Sequence, residues 1–195
     1  MNSYDTLIIG TGCAALKCAD ELCHMGRKSL AILTDDERAG TSRNAGSDKQ
    51  TYYKLTLSGF DGDSVGEMAR TLFSGGCVDG THALCEAALS APCFLRLCEL
   101  GVPFPTNRYG EYIGYKTDHD PRRRATSAGP LTSKMMAEAL DKSVRAAGVP
   151  ILNHRLAVSI ATQNRRANGV VCLNTETGAF ELYAANHIVW ATGGP

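Results

Sequence analysis

The sequence carries no excess of charge of either sign. Twenty lysines and arginines balance twenty aspartates and glutamates, which leaves a formal net charge of zero. Binding to nucleic acid or to an anionic membrane surface needs a basic face, so this composition argues against both kinds of partner. The one basic run, residues 122–124, could meet a phosphate or a carboxylate, but a solvated loop is the plainer interpretation.

Long apolar runs and a secretory leader are also missing. No stretch approaches the roughly 20 apolar residues that a membrane-spanning helix needs. Residues 1–5 lead directly into a predicted strand, without the basic and apolar segment of a signal peptide. We therefore expect no membrane span and a cytoplasmic location.

The eight cysteines show no C-x-x-C spacing. Many metal sites and redox motifs use that spacing, and disulfides are uncommon in the cytoplasm. Most of the cysteines lie among residues that favour helices, so we expect reduced thiols in the core and no metal site. A redox-active pair formed across space stays open as the alternative.

The start of the chain predicts a strand–helix–strand unit. A short apolar run over residues 6–9 is typical of a buried parallel strand. Apolar residues then recur at helical spacing over residues 13–25, and Gly26 is a natural helix stop. Residues 30–33 predict the second buried strand.

Gly10, Gly12 and Ala15 form a G-x-G-x-x-A pattern at the turn from the first strand to the helix. In a dinucleotide-binding turn the first glycine permits the tight turn, the second admits a pyrophosphate, and the alanine keeps helix and strand close. The helix N-terminus adds unpaired N–H groups, and Asp35 can accept hydrogen bonds from a ribose. The pattern predicts a nucleotide site but does not separate FAD from NAD, and a turn built for packing is the alternative.

The remaining segments predict helices and then short strands. Residues 35–55 form a polar loop able to face a phosphate or flavin edge, or an ordinary surface loop. Over residues 63–100 we expect helical pieces, with Asp63 capping the first and Pro92 opening the last. A small hairpin is predicted over residues 108–116.

The last third predicts a helix beginning at Thr132 or Ser133 and a strand over residues 149–153. Short strands joined by hairpin signals then form an antiparallel insertion, and a closing strand brings glycines to the carboxyl edge of the sheet. The insertion strands are expected over residues 156–163, 169–174 and 180–184, and the closing strand over residues 187–191.

Four stretches together resemble the N-terminal FAD-binding part of the fumarate reductase, succinate dehydrogenase and L-aspartate oxidase flavoproteins. They are "LIIGTGCAA", "APCFLRLCELGVPF", "RRRATSAGPLTSKMMAEALDKSVRAAGVPIL" and "GVVCLNTETGAFELYAANHIVWATGG". They follow the family's order and span nearly the whole chain. The resemblance implies an α/β fold: a Rossmann-like parallel sheet of the glutathione-reductase-like, FAD-binding type with a small antiparallel β insertion.

The resemblance also implies FAD as the tightly held dinucleotide and assigns cofactor-binding residues, with no metal ligands. The pyrophosphate is assigned to Gly10, Gly12 and Ala15, with Cys13 and Ala14 beside them, and the ribose to Asp35, next to Thr34. The flavin-side phosphate or ring is assigned to Ser42, Arg43 and Asn44. The adenine is assigned to Ala157 and Val158, with Ala191, Thr192 and Gly193 closing that side.

Two departures from the family bear on the flavin. Members with covalently attached flavin have a histidine in the loop after the second strand, whereas residues 36–50 contain none, so the FAD should be non-covalent. The family commonly has an alanine followed by paired glycines there, whereas this sequence has Ala45, Gly46 and Ser47. The immediate surroundings of the flavin are therefore expected to differ, so the dicarboxylate of the family is one candidate substrate here and not the assumed one.

In the family, the strand ending in "ATGG" is followed by a capping domain and a return to the FAD domain, which carry the substrate-binding arginines and histidines. We therefore expect an incomplete FAD-binding domain over residues 1–195 with no catalytic residue of its own, inactive alone and inclined to self-associate. Its parts are a βαβ unit over residues 4–35, a helical segment over 63–100, a β insertion over about 156–184 and a closing strand over 187–194.

The complete protein should be a flavin-dependent oxidoreductase that exchanges hydride between flavin N5 and a small-molecule substrate, as the family does. Two other functions stay open for the chain. One is a non-catalytic nucleotide-binding module, and the other is the domain of an NAD(P)-linked dehydrogenase.

Overall fold

A computed structural model describes residues 2–58, 62–118 and 120–194. The chain divides into two compact units. The first contains the residues up to Ala45 and those from Ser133 onward, and the second is Gly46–Thr132. The elements of the described residues are β1 (Asn2–Ile9), α1 (Cys13–His24), β2 (Leu30–Leu33), α2 (Thr41–Asn44), β3 (Tyr52–Tyr53), α3 (Val65–Ser74), α4 (Gly80–Glu99), β4 (Ala125–Thr126), α5 (Thr132–Ala146), β5 (Ile151–Leu152), β6 (Arg155–Gln163), β7 (Arg166–Asn174) and β8 (Phe180–Trp190).

A six-stranded sheet with the strand order β5-β2-β1-β8-β7-β6 forms the first unit's framework. β5, β2, β1 and β8 run parallel to one another, and β7 and β6 extend the sheet in antiparallel register. The predicted α/β fold, a Rossmann-like parallel sheet with a small antiparallel addition, is confirmed.

The predicted strand–helix–strand unit is present in this sheet. All four residues of β2 and the last four of β1 are buried, which explains why both strands read as continuous apolar runs. Leu7, Ile9 and Leu33 pack with Val170 and Tyr183 in one cluster. The parallel strands and the antiparallel strands therefore share one core.

The separation of the β insertion from the closing strand was predicted wrongly. The structure has one continuous strand, β8, where the sequence suggested strands over residues 180–184 and 187–191. Its first part, Phe180 to Ala184, pairs with β7, and the part from Tyr183 onward pairs with β1. Because the two sets of partners overlap at Tyr183 and Ala184, the chain passes between them without a break.

The second unit contains α3, α4 and a two-stranded antiparallel sheet of β3 and β4, which precede and follow the two helices in the chain. α4 was predicted as two pieces but is one helix that contains Pro92. A proline inside a helix removes a backbone hydrogen bond at a cost of about 3 kcal/mol. The buried stripe of α4 nevertheless continues through it, and this packing holds the helix together. The stripe is Ala83, Ala87, Ser90, Phe94 and Leu97.

The basic run at residues 122–124 is solvated only in part, since Arg123 is exposed whereas Arg124 is not. Arg124 is fully buried, and its guanidinium donates to both carboxylate oxygens of Asp63 at 2.7 and 2.8 Å. The helix cap expected at Asp63 is instead supplied by Ser64, whose hydroxyl accepts from the N–H of Glu67. Arg122 pairs with the Glu67 carboxylate.

Two other expectations differ from the structure. The hairpin predicted over residues 108–116 is a turn, and its one sheet contact is a bridge from Tyr115 to Ala125.

All eight cysteines are free, as predicted, but only Cys172 is buried. Cysteines in helices were expected in the core, yet Cys77 and Cys85 are exposed and the other five are half-buried. None of the helices within the described ranges is both long and apolar enough to cross a membrane.

Candidate functional site

A cleft of about 620 Å³ opens at the carboxyl end of β1, within the unit that holds the six-stranded sheet. Open α/β sheets bind ligands at this edge, where the loops after parallel strands meet. The cleft is lined by the turn after β1, the end of β2, the segment entering α2, the start of β6 and the residues after β8. These are residues 9–14, 33–36, 39–42, 155–157 and 191–194.

Gly10 is required by the fold itself. Its φ of +109° is rarely accessible to other residues, and a Cβ built on it would lie 2.4 Å from the carbonyl oxygen of Ala191. The Gly10 N–H donates to the Leu33 carbonyl at 2.8 Å. The turn after β1 is therefore fixed between the ends of its two neighbouring strands.

Gly12 is different, because the protein's own packing does not require it. Its backbone is extended, and a Cβ there would make only an ordinary contact at 3.4 Å with the Ser42 hydroxyl. Gly12 lines the cleft, beside the first turn of α1. A glycine here fits a ligand that approaches the backbone closely, as a pyrophosphate does.

The N-terminus of α1 is suited to an anion. Its first turn contains no acidic residue and its N-cap, Gly12, provides no side-chain hydrogen bond. The Cys13 N–H donates to the Ser42 hydroxyl at 3.2 Å, which brings a second polar group to the same turn. Unpaired N–H groups and the positive end of the helix dipole favour phosphate there.

Two residues at the end of β2 form the next part of the wall. The Thr34 side chain is buried, and its hydroxyl lies 3.3 Å from that of Thr11. Asp35 is exposed at the edge of the cleft, where one carboxylate oxygen accepts from the Asp36 N–H at 2.9 Å. The Asp35 carboxylate retains acceptor capacity suited to ribose hydroxyls.

Most of the cofactor-binding residues predicted from the sequence line this one cleft. Four do not. Ala15 is buried within α1, and Val158 is exposed on β6. Arg43 pairs with Asp141 at 3.2 Å, and the Asn44 amide donates to the Arg38 and Gly40 carbonyls. The predicted residues that line the cleft are Gly10, Gly12, Cys13, Ala14, Thr34, Asp35, Ser42, Ala157, Ala191, Thr192 and Gly193.

Arg155 also lines the cleft, although no sequence pattern pointed to it. β6 begins beside the end of β2, because the Arg155 N–H donates to the Thr34 carbonyl at 2.8 Å. The guanidinium of Arg155 donates through Nε to Glu181 at 3.0 Å and to the Tyr183 hydroxyl at 3.2 Å. Hydrogen bonds from Tyr183, Asn174 and Arg155 lower the pKa of Glu181 to about 2, so the carboxylate is ionised.

The thiol of Cys13 is not prepared for nucleophilic chemistry. Burial raises its pKa, although hydrogen bonding to Ser42 and the charge of Arg43 oppose this. The thiol donates to the Ser133 carbonyl at 3.5 Å. A neutral thiol is a weak nucleophile. Across the described part of the chain, no group of three His, Cys, Asp or Glu side chains is placed to hold a metal ion.

Solved structures share this fold. An FrdA mutant of E. coli quinol fumarate reductase superposes with a TM-score of 0.81 at 18% identity over 100% of this chain and 33% of its own. Mycobacterium smegmatis Sdh1, in complex with UQ1, superposes with a TM-score of 0.80 at 20% identity, over 99% of this chain and 34% of its own. The 3-ketosteroid-delta4-(5alpha)-dehydrogenase of Rhodococcus jostii RHA1, in complex with 4-androstene-3,17-dione, superposes with a TM-score of 0.79 at 18% identity. This match covers 99% of this chain and 46% of the dehydrogenase. The chain thus spans roughly a third of the first two proteins and under half of the last.

Sequence comparison distinguishes between the nucleotides that the glycine turn left open. No curated protein sequence matches the chain. Residues 5–195, however, match a protein family described as the FAD binding domain. The match includes every segment that lines the cleft. FAD is therefore the cofactor, as the resemblance implied, and the chain belongs to the FAD binding domain family.

Proposed function

We propose that this chain binds FAD non-covalently in the cleft at the carboxyl end of β1, as the cofactor-binding part of a flavin-dependent oxidoreductase. The observation that carries the proposal is the contrast between Gly10 and Gly12. The first glycine is needed by the fold, whereas the second leaves free space at a helix N-terminus inside the cleft. Such space has a use when a diphosphate occupies it.

The parts of the cleft correspond to the parts of the cofactor. The first turn of α1, with the Ser42 hydroxyl, would hold the pyrophosphate. Asp35 would accept hydrogen bonds from the ribose, and the start of β6 around Ala157 would face the adenine. Arg43 and Asn44, which do not line the cleft, would fix the α2 segment that carries Ser42. Ala191, Thr192 and Gly193 would close the cleft on the side of β8.

The bound FAD supplies hydride transfer at its flavin N5. The chain's own residues bind and orient the cofactor, and none of them is assigned a proton transfer. Residues 36–50 contain no histidine to which the flavin could be attached, so the FAD is held without a covalent bond. The substrate of the whole protein is a small molecule, with dicarboxylates the first class to test.

Absorbance and titration test this proposal. The purified protein should be yellow, with absorbance near ~450 nm from flavin, and acid precipitation should release all of the flavin into the supernatant. Apoprotein should then quench flavin fluorescence as FAD is added. A colourless protein that takes up NADH and ignores FAD would contradict the proposal.

A matched pair of glycine variants locates the site. Gly12 is the N-cap of α1 and Gly80 is the first residue of α4, and a Cβ on either meets no clash. Gly12→Ala should fold normally and lose at least about tenfold in FAD affinity, because its methyl group occupies the space of the phosphate. Gly80→Ala should bind FAD as the wild type does. Equal affinity of the two variants would place the cofactor elsewhere.

A screen of the whole protein tests the reaction class. With a reduced viologen dye as electron donor, small unsaturated acids should be reduced only when FAD is bound. Turnover that continues in the flavin-free protein would exclude a flavin-dependent oxidoreductase.

A further inference from the structure

Arg155 lines the cleft, and its side chain is fixed by hydrogen bonds within the protein. Its Nε donates to a carboxylate oxygen of Glu181 at 3.0 Å and to the Tyr183 hydroxyl at 3.2 Å. Nη1 donates to the Asn153 carbonyl at 2.8 Å, and Nη2 donates to the other Glu181 oxygen at 3.4 Å. Every nitrogen of the guanidinium is thus already engaged within the protein.

The charge of Arg155 is also balanced within the protein. Glu181 is ionised and is itself fixed by hydrogen bonds from Tyr183 and from the Asn174 amide at 2.7 Å. An arginine that binds both oxygens of a carboxylate forms an ion pair without net charge, and such a pair attracts a phosphate only weakly. What it can still offer to a ligand is the flat face of its guanidinium, which stacks well on aromatic rings.

The position of Arg155 matches the adenosine end of the cofactor. Its backbone N–H bonds to the carbonyl of Thr34, the residue before the ribose-binding candidate Asp35. Ala157, two residues further along β6, also lines the cleft and has a side chain small enough to leave room beside the arginine. A base attached to a ribose at Asp35 would therefore lie close to the start of β6.

We propose that Arg155 binds the adenine of the cofactor by stacking its guanidinium plane on the base, with Glu181 and Tyr183 as positioning residues. This inference rests on the proposed binding of FAD in the same cleft. It assigns the adenosine half of the affinity to Arg155, whereas the diphosphate half belongs to the α1 turn and the Ser42 hydroxyl. The two halves should then respond separately to mutation.

ADP and inorganic pyrophosphate separate the two halves, because both carry a diphosphate and only ADP carries the base. Binding of each is measured by calorimetry on the flavin-free protein, with FAD titrated in parallel. Stacking of a base on a side chain typically changes affinity by about fivefold or more. Arg155→Ala should therefore weaken ADP and FAD binding about tenfold and leave pyrophosphate binding unchanged. Arg166→Ala, which removes an exposed arginine on β7, is the control and should change none of them.

Arg155→Lys distinguishes stacking from charge, since lysine keeps the positive charge and lacks the planar group. The lysine variant should bind ADP as weakly as the alanine variant. Arg155→Lys also tests the role of the guanidinium if Arg155→Ala does not fold. Unchanged ADP affinity in these variants, or an equal loss of ADP and pyrophosphate, would overturn the inference. Failure of the wild-type protein to bind FAD would instead overturn the proposed function.

Glu181→Gln tests the positioning role. The amide no longer holds or neutralises Arg155, so ADP should bind more weakly while pyrophosphate binds as tightly as before or more tightly. A structural defect in the cleft would weaken the binding of both ligands together. Such a joint loss would contradict the role assigned to Glu181.

Discussion

The hydroxyl of Ser42 accepts a hydrogen bond from the backbone N–H of Cys13 at 3.2 Å, joining α2 to the first turn of α1. The two residues are far apart in the sequence and come from segments of different character, a glycine-rich turn and a polar loop. Their contact turns a helix N-terminus into a site with both backbone and hydroxyl groups. An anion at this turn would be contacted from two sides.

We expect Ser42→Ala to weaken FAD binding about fivefold, the effect of losing one hydrogen bond. The thermal stability of the cofactor-free protein should change little, because the Cys13 N–H lies at an open cleft where water can replace the hydroxyl. Flavin fluorescence titration and thermal unfolding measure the two effects. Unchanged FAD affinity would remove Ser42 from the site.

The buried ion pair of the second unit should dominate the unit's stability. The side chains of Arg124 and Asp63 are 0% and 2% exposed, and the hydrogen bonds from Arg124 hold the pKa of Asp63 low although burial alone would raise it. Removing one partner of a buried pair costs about 3–5 kcal/mol. Asp63→Asn should therefore lower the free energy of unfolding by about that amount in urea denaturation.

The neighbouring pair of Arg122 and Glu67 provides the comparison, since its side chains are 34% and 29% exposed. Exposed pairs contribute little, because solvent screens the charges. Glu67→Gln should lose far less stability than Asp63→Asn. Equal losses would mean that burial of Arg124 does not govern this cluster.

Glu181 makes stability depend on pH in the acid range. Hydrogen bonds from Tyr183 and Asn174 lower its pKa to about 2, whereas an unfolded glutamate titrates near about 4.3. The ionised form is favoured by folding, so this stability is complete above the unfolded pKa and is lost as the pH falls towards 2. The wild type should exceed Glu181→Gln in unfolding free energy above about pH 5, with the difference shrinking below about pH 4. A difference that does not vary with pH would contradict this account.

An apolar row on the antiparallel strands predicts self-association. Leu156, Leu173 and Phe180 face one another across β6, β7 and β8, and Phe180 is 72% exposed. Large exposed apolar groups on adjacent strands favour association. Sedimentation velocity should show a mass that rises with concentration, and Phe180→Lys should reduce that rise. A monomer over the whole concentration range would contradict the prediction.

The sequence predicted best those elements whose signals are local. The turn at Gly10 and Gly12 lies between a short apolar run and a helical repeat, and each signal lies within one continuous stretch of the chain. The same holds for the start of α5 at Thr132 and for β2. Local signals suffice there because the neighbouring strands are buried on both faces.

Elements that depend on distant partners were predicted less well. Arg124 can be buried because its guanidinium forms ion pairs with the carboxylates of Asp63, 61 residues earlier, and Asp120. α4 continues through Pro92 because its buried stripe packs along the whole helix. Arg155 reaches the cleft because its strand begins beside Thr34. In each case the determining contact lies outside the window that a sequence pattern covers.

A crystal structure of the protein with FAD would show where the diphosphate lies. We expect it against the backbone N–H groups of the first turn of α1, within hydrogen-bond distance of the Ser42 hydroxyl and in the space beside Gly12. An empty turn with the dinucleotide bound in any other part of the protein would contradict it.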